Sequence, residues 1–303
     1  RAAQMMFQSN NSTQSSRRHG LRSWLTTLVA AGACLVPTLP GNAAEARPPS
    51  PATPTAPLIP FEKFNLANGL TVIVHTDRKA PIVDSKMIPG YIALGAHIMK
   101  GMPPGITAAT GMDALTHAVE SYLSKASSTT TEEHATAAVR LIFKYLQRAF
   151  RDGDDMEARD GMALAAFYAG AAFGKTSVGY VHGIAHQLGR VCGTPHGNAN
   201  AMVLPEVLAA YGDCVHPRLA RLAGVAGIGE PGDSQAVLAG KFIQAIVDMR
   251  RDMDLPLQPK GLKAGDIPGI VDEAIAEAGA LYPVPRYMSE AELTTIVNAL
   301  RAA

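Results

Sequence analysis

Two histidine–carboxylate clusters constrain this chain more than any other feature. They are Asp113-Ala-Leu-Thr-His117 and His182-Gly-Ile-Ala-His186, the latter followed by Pro195-His196-Gly197. Asp113 and His117 stand at i and i+4 in a run with helical periodicity, so both side chains leave one helix face a turn apart. His182 and His186 repeat that spacing, and His196 arrives from a Gly/Pro-rich turn beyond them. One carboxylate and two or three imidazoles brought to a point make a ligand set for a divalent transition metal. Taken singly, each is an ordinary helix cap or core histidine. Their concentration in two short windows favours the metal.

The surrounding phrases carry a resemblance. Gly101-Met-Pro-Pro-Gly-Ile-Thr-Ala-Ala-Thr-Gly-Met-Asp113-Ala-Leu-Thr-His117-Ala-Val-Glu120 resembles the start of the helical domain of the iron-containing (group III) alcohol dehydrogenases. Tyr180-Val-His182-Gly-Ile-Ala-His186-Gln-Leu-Gly189 and Thr194-Pro-His196-Gly-Asn-Ala-Asn-Ala-Met-Val-Leu-Pro205 resemble that family's second block in order and spacing. The wording is similar to the branch that holds lactaldehyde reductases and propanediol oxidoreductases. The resemblance runs from about Lys86 to the end of the chain and includes Leu281-Tyr-Pro-Val-Pro-Arg-Tyr-Met288.

The resemblance implies a mainly α, helical-bundle metal-binding domain over residues 86–303. It implies Asp113, His117, His182 and His196 as metal ligands, and His186 as the catalytic histidine beside substrate and nicotinamide. The implied activity is hydride transfer between a primary or secondary alcohol and NAD(P), with a small alcohol or aldehyde as substrate. One Asp and three His cannot select Fe2+ over Zn2+, and the intrinsic affinity order favours Zn2+, so iron follows from the resemblance alone. Gly95-Ala96-His97 departs from the family, whose members read roughly Asp-Ala-Asp or Asp-Pro-Glu there. That unsettles the strand expected to lead into the domain, not the ligands.

The N-terminal third points elsewhere. The chain begins at Arg1 instead of an initiator methionine, which suggests a fragment or a translated reading-frame product. Ser16-Arg17-Arg18-His19-Gly20-Leu21-Arg22 is a basic run, Trp24 to Leu39 is apolar and broken by Pro37, and Asn42-Ala43-Ala44 offers small residues for cleavage before Glu45. This is the layout of a signal peptide over residues 1–44, with a weak likeness to a twin-arginine signal. A single membrane anchor is the alternative, but the apolar run is short and interrupted, so stable membrane insertion is not expected. Residues 45–60 form a Pro/Ala/Thr linker with too little apolar content to fold.

Phe61-Glu-Lys-Phe-Asn-Leu-Ala-Asn68-Gly69-Leu-Thr-Val-Ile-Val-His75 then places Asn-Gly between alternating apolar segments, a type I′ hairpin signal. Residues 61–85 resemble the first hairpin of exported pitrilysin-family zinc peptidases. Their His-x-x-Glu-His does not follow: Glu133-His134 is the Glu-His pair, and Thr130 stands where the first histidine belongs. A dehydrogenase of this family places a nucleotide-binding α/β domain ahead of the helical one. No Gly-rich phosphate loop after a strand occurs in this sequence. The expectation is a junction of an unrelated N-terminus to the metal-binding half of a dehydrogenase, by gene fusion or misassembly, with activity incomplete. An exported peptidase fragment or an inactive helical product is the alternative.

The formal net charge of +1 supplies no field to hold nucleic acid or an anionic membrane. Arg218, Arg221 and Arg250-Arg251 read as solvated helix faces. Of the three cysteines, Cys34 falls in the signal-like run, and Cys192 and Cys214 lack metal or redox spacing. Cys192 reads as a buried structural thiol instead of a ligand. Unpaired thiols suit a reducing cytoplasm, so the dehydrogenase portion is expected there, while the N-terminal signal argues for export. A homo-oligomer is compatible with all of this.

Helical periodicity covers the rest. Expected helices are Ile106–Leu123, one capped by a Thr130/Glu133 box with an Ala138, Ile142, Tyr145, Ala149 stripe, Gly161–Phe173, Asn200–Tyr211, Arg218–Ala226, Ser234–Arg251, Ile267–Ala278, and a last one capped by Ser289 and Glu292.

Overall fold

A computed structural model describes residues 62–65, 71–74 and 94–301. The expected signal region and linker lie outside the described residues. Strands β1 (Glu62–Asn65) and β2 (Thr71–Val74) pair antiparallel, with Glu62 opposite Val74 and Asn65 opposite Thr71. This is the hairpin that the alternation around Asn68-Gly69 predicts, although the turn itself lies outside the described residues.

From Leu94 onward the described chain is helical. It runs through α1 (Pro104–Leu123), α2 (Thr129–Arg151), α3 (Met156–Thr176), α4 (Tyr180–Cys192), α5 (His196–Tyr211), α6 (His216–Val225), α7 (Gln235–Asp252), α8 (Ile267–Leu281) and α9 (Glu290–Ala299). A short 3-10 turn at Ala96–Met99 stands where a strand was expected to lead in. The Ala96 N–H donates to Asp160 Oδ1 at 3.2 Å, which ties that turn to α3.

Helix α1 is the axis of the bundle. Pro104 opens it at a position whose N–H would lack a helical partner in any case, so the ring costs no hydrogen bond. Ala108, Met112, Leu115, Ala118, Val119 and Tyr122 are wholly or almost wholly buried against α2, α3 and α5. Gly111 makes the approach of α2 close: a Cβ there would lie 2.2 Å from Leu146 Cδ1. Arg159 of α3, buried though charged, donates to Thr107 Oγ1 at 2.7 Å, Met102 O at 3.0 Å and Gly153 O at 3.1 Å. That fork locks the start of α1 to the start of α3 with no carboxylate in the set.

Helix α2 is capped two residues earlier than the Thr130/Glu133 pairing predicts. Ser128 is the N-cap, accepting from Thr131 N, while Thr131 Oγ1 accepts from Ser128 N at 2.8 Å. A threonine hydroxyl does the work of the usual Glu, in the register that buries Ala138, Ile142, Tyr145 and Ala149. The Ser289/Glu292 box on α9 forms as expected.

Two arginines expected on solvated helix faces turn inward, Arg218 in part and Arg250 fully. Arg218 donates to Tyr122 O, to Glu132 Oε1 at 2.8 Å and to Ser127 Oγ at 3.2 Å, joining α6 to α1 and α2. Arg250 is buried, and its Nη1 lies 3.4 Å from both Ala201 O and Met202 O. Pro205 stands inside α5 and has no N–H for the Ala201 carbonyl, so Arg250 supplies the donor the helix lacks. Arg221 and Arg251 are exposed as expected. Among the described residues, no helix is long and apolar enough to cross a membrane.

Candidate metal centre

Three helix segments deliver the clustered residues to one point. Asp113 and His117 project from the middle of α1, and His182 lies in the first turn of α4. His196 is the first residue of α5, with Pro195 at the N-cap, and not part of the turn before it. Asp113 Oδ1 lies 3.6 Å from His182 Nε2 and 3.3 Å from His196 Nε2, while its Oδ2 lies 3.6 Å from His117 Nε2. Asp113, His182 and His196 each offer one ligand atom, and those atoms lie within 4.8 Å of one another. The His117 ring is stacked between Phe173, at 4.0 Å, and His182, at 4.4 Å.

Asn200, one turn along α5 from His196, reveals what these atoms want. Its Nδ2 lies 2.6 Å from Asp113 Oδ1 and 3.2 Å from each of His182 Nε2 and His196 Nε2. One amide nitrogen has two hydrogens, and with both rings neutral and protonated on Nδ1 three acceptors are turned toward it. Lone pairs outnumber donors, and the donor set of imidazole nitrogens and one carboxylate suits a divalent transition ion. The residues therefore fit a metal.

Electrostatics agree. Burial pulls the His182 imidazole down, yet the carboxylates of Asp113 and Glu120 beside it prevail and raise it to about 9. Burial would raise the Asp113 carboxyl, but the imidazoles of His117, His182 and His196 around it hold it far below the usual carboxylate range. His117, more affected by burial than by Asp113, is pushed down. The cluster draws positive charge into itself.

Sequence reasoning gave Glu120 no role. Its Oε2 lies 2.6 Å from His182 Nδ1, and its Oε1 accepts from Val181 N at 2.8 Å. The same carboxylate thus caps the N-terminus of α4, where Gly179 offers no side chain, and fixes the ring of a ligand candidate. A Cβ on Gly179 would lie 2.7 Å from Glu120 Oε1, so the approach needs glycine. The available signal was position: Glu120 is three residues beyond His117, on the same face of α1.

His186 stays outside the cluster of ligand atoms. Its ring lies parallel to that of His196 at 5.4 Å, and its Nδ1 is 2.7 Å from Glu277 Oε1 of α8. Cys192 is half-buried, less enclosed than a core thiol, and is not in the cluster. Cys214 is exposed.

With this geometry in hand, residues 107–301 match the Fe-containing alcohol dehydrogenase family, C-terminal. The 1,3-propanediol dehydrogenase of Klebsiella pneumoniae is 38% identical over 256 residues, covering 80% of this chain and 66% of that protein. The lactaldehyde reductase of Escherichia coli (strain K12) is 35% identical over 200 residues, covering 65% of this chain and 52% of its own length. The crystal structure of a 1,3-propanediol oxidoreductase superposes with a TM-score of 0.66 at 38% identity, covering 68% of this chain and 54% of the other. The chain spans no more than 66% of the length of these curated relatives. A match over 80% of the chain is longer than residues 86–303, so similarity reaches upstream of the Lys86 boundary. None of these matches supports the peptidase resemblance of residues 61–85.

Proposed function

Because the chain belongs to the iron-containing alcohol dehydrogenase family, we propose that its helical domain holds one divalent ion on Asp113, His117, His182 and His196, in the service of hydride transfer between a small alcohol or aldehyde and NAD(P). The observation that carries this reading is the convergence of Asp113, His182 and His196, from three helices, with their ligand atoms within 4.8 Å. The relatives' names, a propanediol dehydrogenase and a lactaldehyde reductase, support a short, hydroxylated substrate. A divalent ion in this site supplies Lewis acidity toward an alcohol or carbonyl oxygen.

The chain's own residues do the rest. Asp113 brings the negative charge that retains the cation. In the neutral ring Glu120 keeps the proton of His182 on Nδ1, so that Nε2 presents its lone pair. Phe173 covers one face of His117 and limits water on that side. His186, one turn beyond His182 and half-exposed, accepts or returns the substrate's hydroxyl proton. Fe2+ and Zn2+ both suit this set. The unpaired Cys192 and Cys214 favour work in a reducing compartment, the cytoplasm.

Metal analysis of the purified full chain tests the reading. We expect one equivalent of metal in the wild type and none in His182→Ala. Equal metal in both forms overturns the ligand assignment. Oxidation of NADH with short aldehydes is expected to depend on that metal and to be lost in His182→Ala. Equal turnover in metal-loaded and metal-free protein overturns that second expectation.

A further inference from the structure

His186 is held from a direction that the proposed reaction does not require. Glu277, 91 positions along the chain and on α8, places Oε1 2.7 Å from His186 Nδ1. The phenol of Tyr282, just past the end of α8, donates to the same oxygen. Gln187 Nε2 reaches Glu277 Oε2 at 3.4 Å. Glu277 is therefore tied on both carboxylate oxygens, and the His186 side chain, 40% exposed, is tied through it. Left to itself, a ring this exposed would rotate and exchange tautomers.

We propose that Glu277 is a positioning residue that fixes His186 as the Nδ1–H tautomer, with Tyr282 holding Glu277 in turn. A carboxylate accepts and does not donate, so the proton in the 2.7 Å contact belongs to Nδ1. Nε2, on the opposite edge of the ring, keeps its lone pair. Tyr282 stays a donor: burial first, then the hydrogen bond and charge of Glu277, push its phenol well above the ordinary value. The His186 ring lies parallel to His196 at 5.4 Å, so fixing its tautomer also fixes which nitrogen is free beside the ligand cluster. This deepens the assignment of His186 as proton acceptor and rests on that reading for its purpose. The tautomer itself stands on geometry alone.

Nitrogen-15 NMR of the full chain, at mildly alkaline pH and without nucleotide or substrate, reads the tautomer. The His186 signals are assigned by their loss in His186→Gln. We expect Nδ1–H to dominate in the wild type and to become the minor form in Glu277→Ala. Tyr282→Phe should keep Nδ1–H dominant but increase exchange. A wild-type spectrum with the proton on Nε2 overturns the proposal without any variant, which covers a Glu277→Ala protein that fails to fold. An unchanged tautomer in a folded Glu277→Ala overturns it as well. Failure of the dehydrogenase reading shows separately, as absent metal in the wild type with the Nδ1–H signal intact.

Discussion

Glu120 Oε2 lies 2.6 Å from His182 Nδ1 while Oε1 of the same carboxylate accepts from Val181 N at 2.8 Å. One side chain on α1 thus holds both the start of α4 and the ring that α4 contributes to the cluster. The entry to α4 and the aim of a candidate metal ligand are joined at Glu120.

Glu120→Ala should therefore do two things. The buried His182 Nδ1 and Val181 N–H both lose their acceptor, which costs on the order of 1–3 kcal/mol. Loss of the group that orients a candidate ligand histidine should lower metal affinity by about 10–100-fold. Thermal denaturation of the metal-free protein reads the first effect, and a metal titration reads the second. Unchanged affinity in a folded variant would show that Glu120 is only a helix cap.

Gly197 tests the packing that aims His196. A Cβ at Gly197 would meet Ala109 O at 2.2 Å and Ala109 C at 2.6 Å, backbone atoms of α1 that no rotamer change relieves. Gly197→Ala should push α5 from α1, carry His196 away from Asp113, cost about 1–3 kcal/mol and reduce metal content. Gly240 is the control: it is exposed inside α7, and a Cβ there meets nothing within 4 Å. Gly240→Ala should stabilise the protein by about 0.5–1 kcal/mol and leave metal unchanged. Equal effects of the two substitutions would remove the α1–α5 contact from the account of the site.

What was legible in the sequence was local. Asp113 and His117 share a helix face because the helical period places i and i+4 together, and His182 and His186 follow the same rule. The Ser289/Glu292 box was readable because one hydroxyl precedes one Glu at the right interval. The α2 cap was not: Ser127, Ser128, Thr129, Thr130 and Thr131 offer several starts, and tertiary burial of the Ala138 stripe selects Ser128. Arg250 and Arg251 look alike in sequence, but one residue turns the helix by about 100° and sends the first toward the Pro205 break and the second to solvent. Glu277 lies 91 positions from His186, and no spacing rule connects them. Local periodicity names the ligand candidates, and the bundle supplies the groups that hold them.

The last prediction concerns acid. Glu292 accepts from Arg286 Nη2 at 2.7 Å and from Ser289 N and Oγ at 2.8 Å each. The Arg286 guanidinium, then the backbone and hydroxyl of Ser289, lower its carboxyl from 4.5 to about 2. A carboxylate depressed in the folded state binds protons less readily there than in the unfolded chain, so stability falls as pH falls. The contribution is complete above about 4.5 and is lost as pH drops through about 2. Wild type should therefore lose its advantage over Glu292→Gln across that interval, as read by urea denaturation at a series of pH values. Added salt should weaken the Arg286 part of the difference and spare the Ser289 cap, which acts at hydrogen-bond range. Parallel stability curves for the two proteins between pH 4.5 and about 2 would show that the α9 cap does not respond to the charge of Glu292.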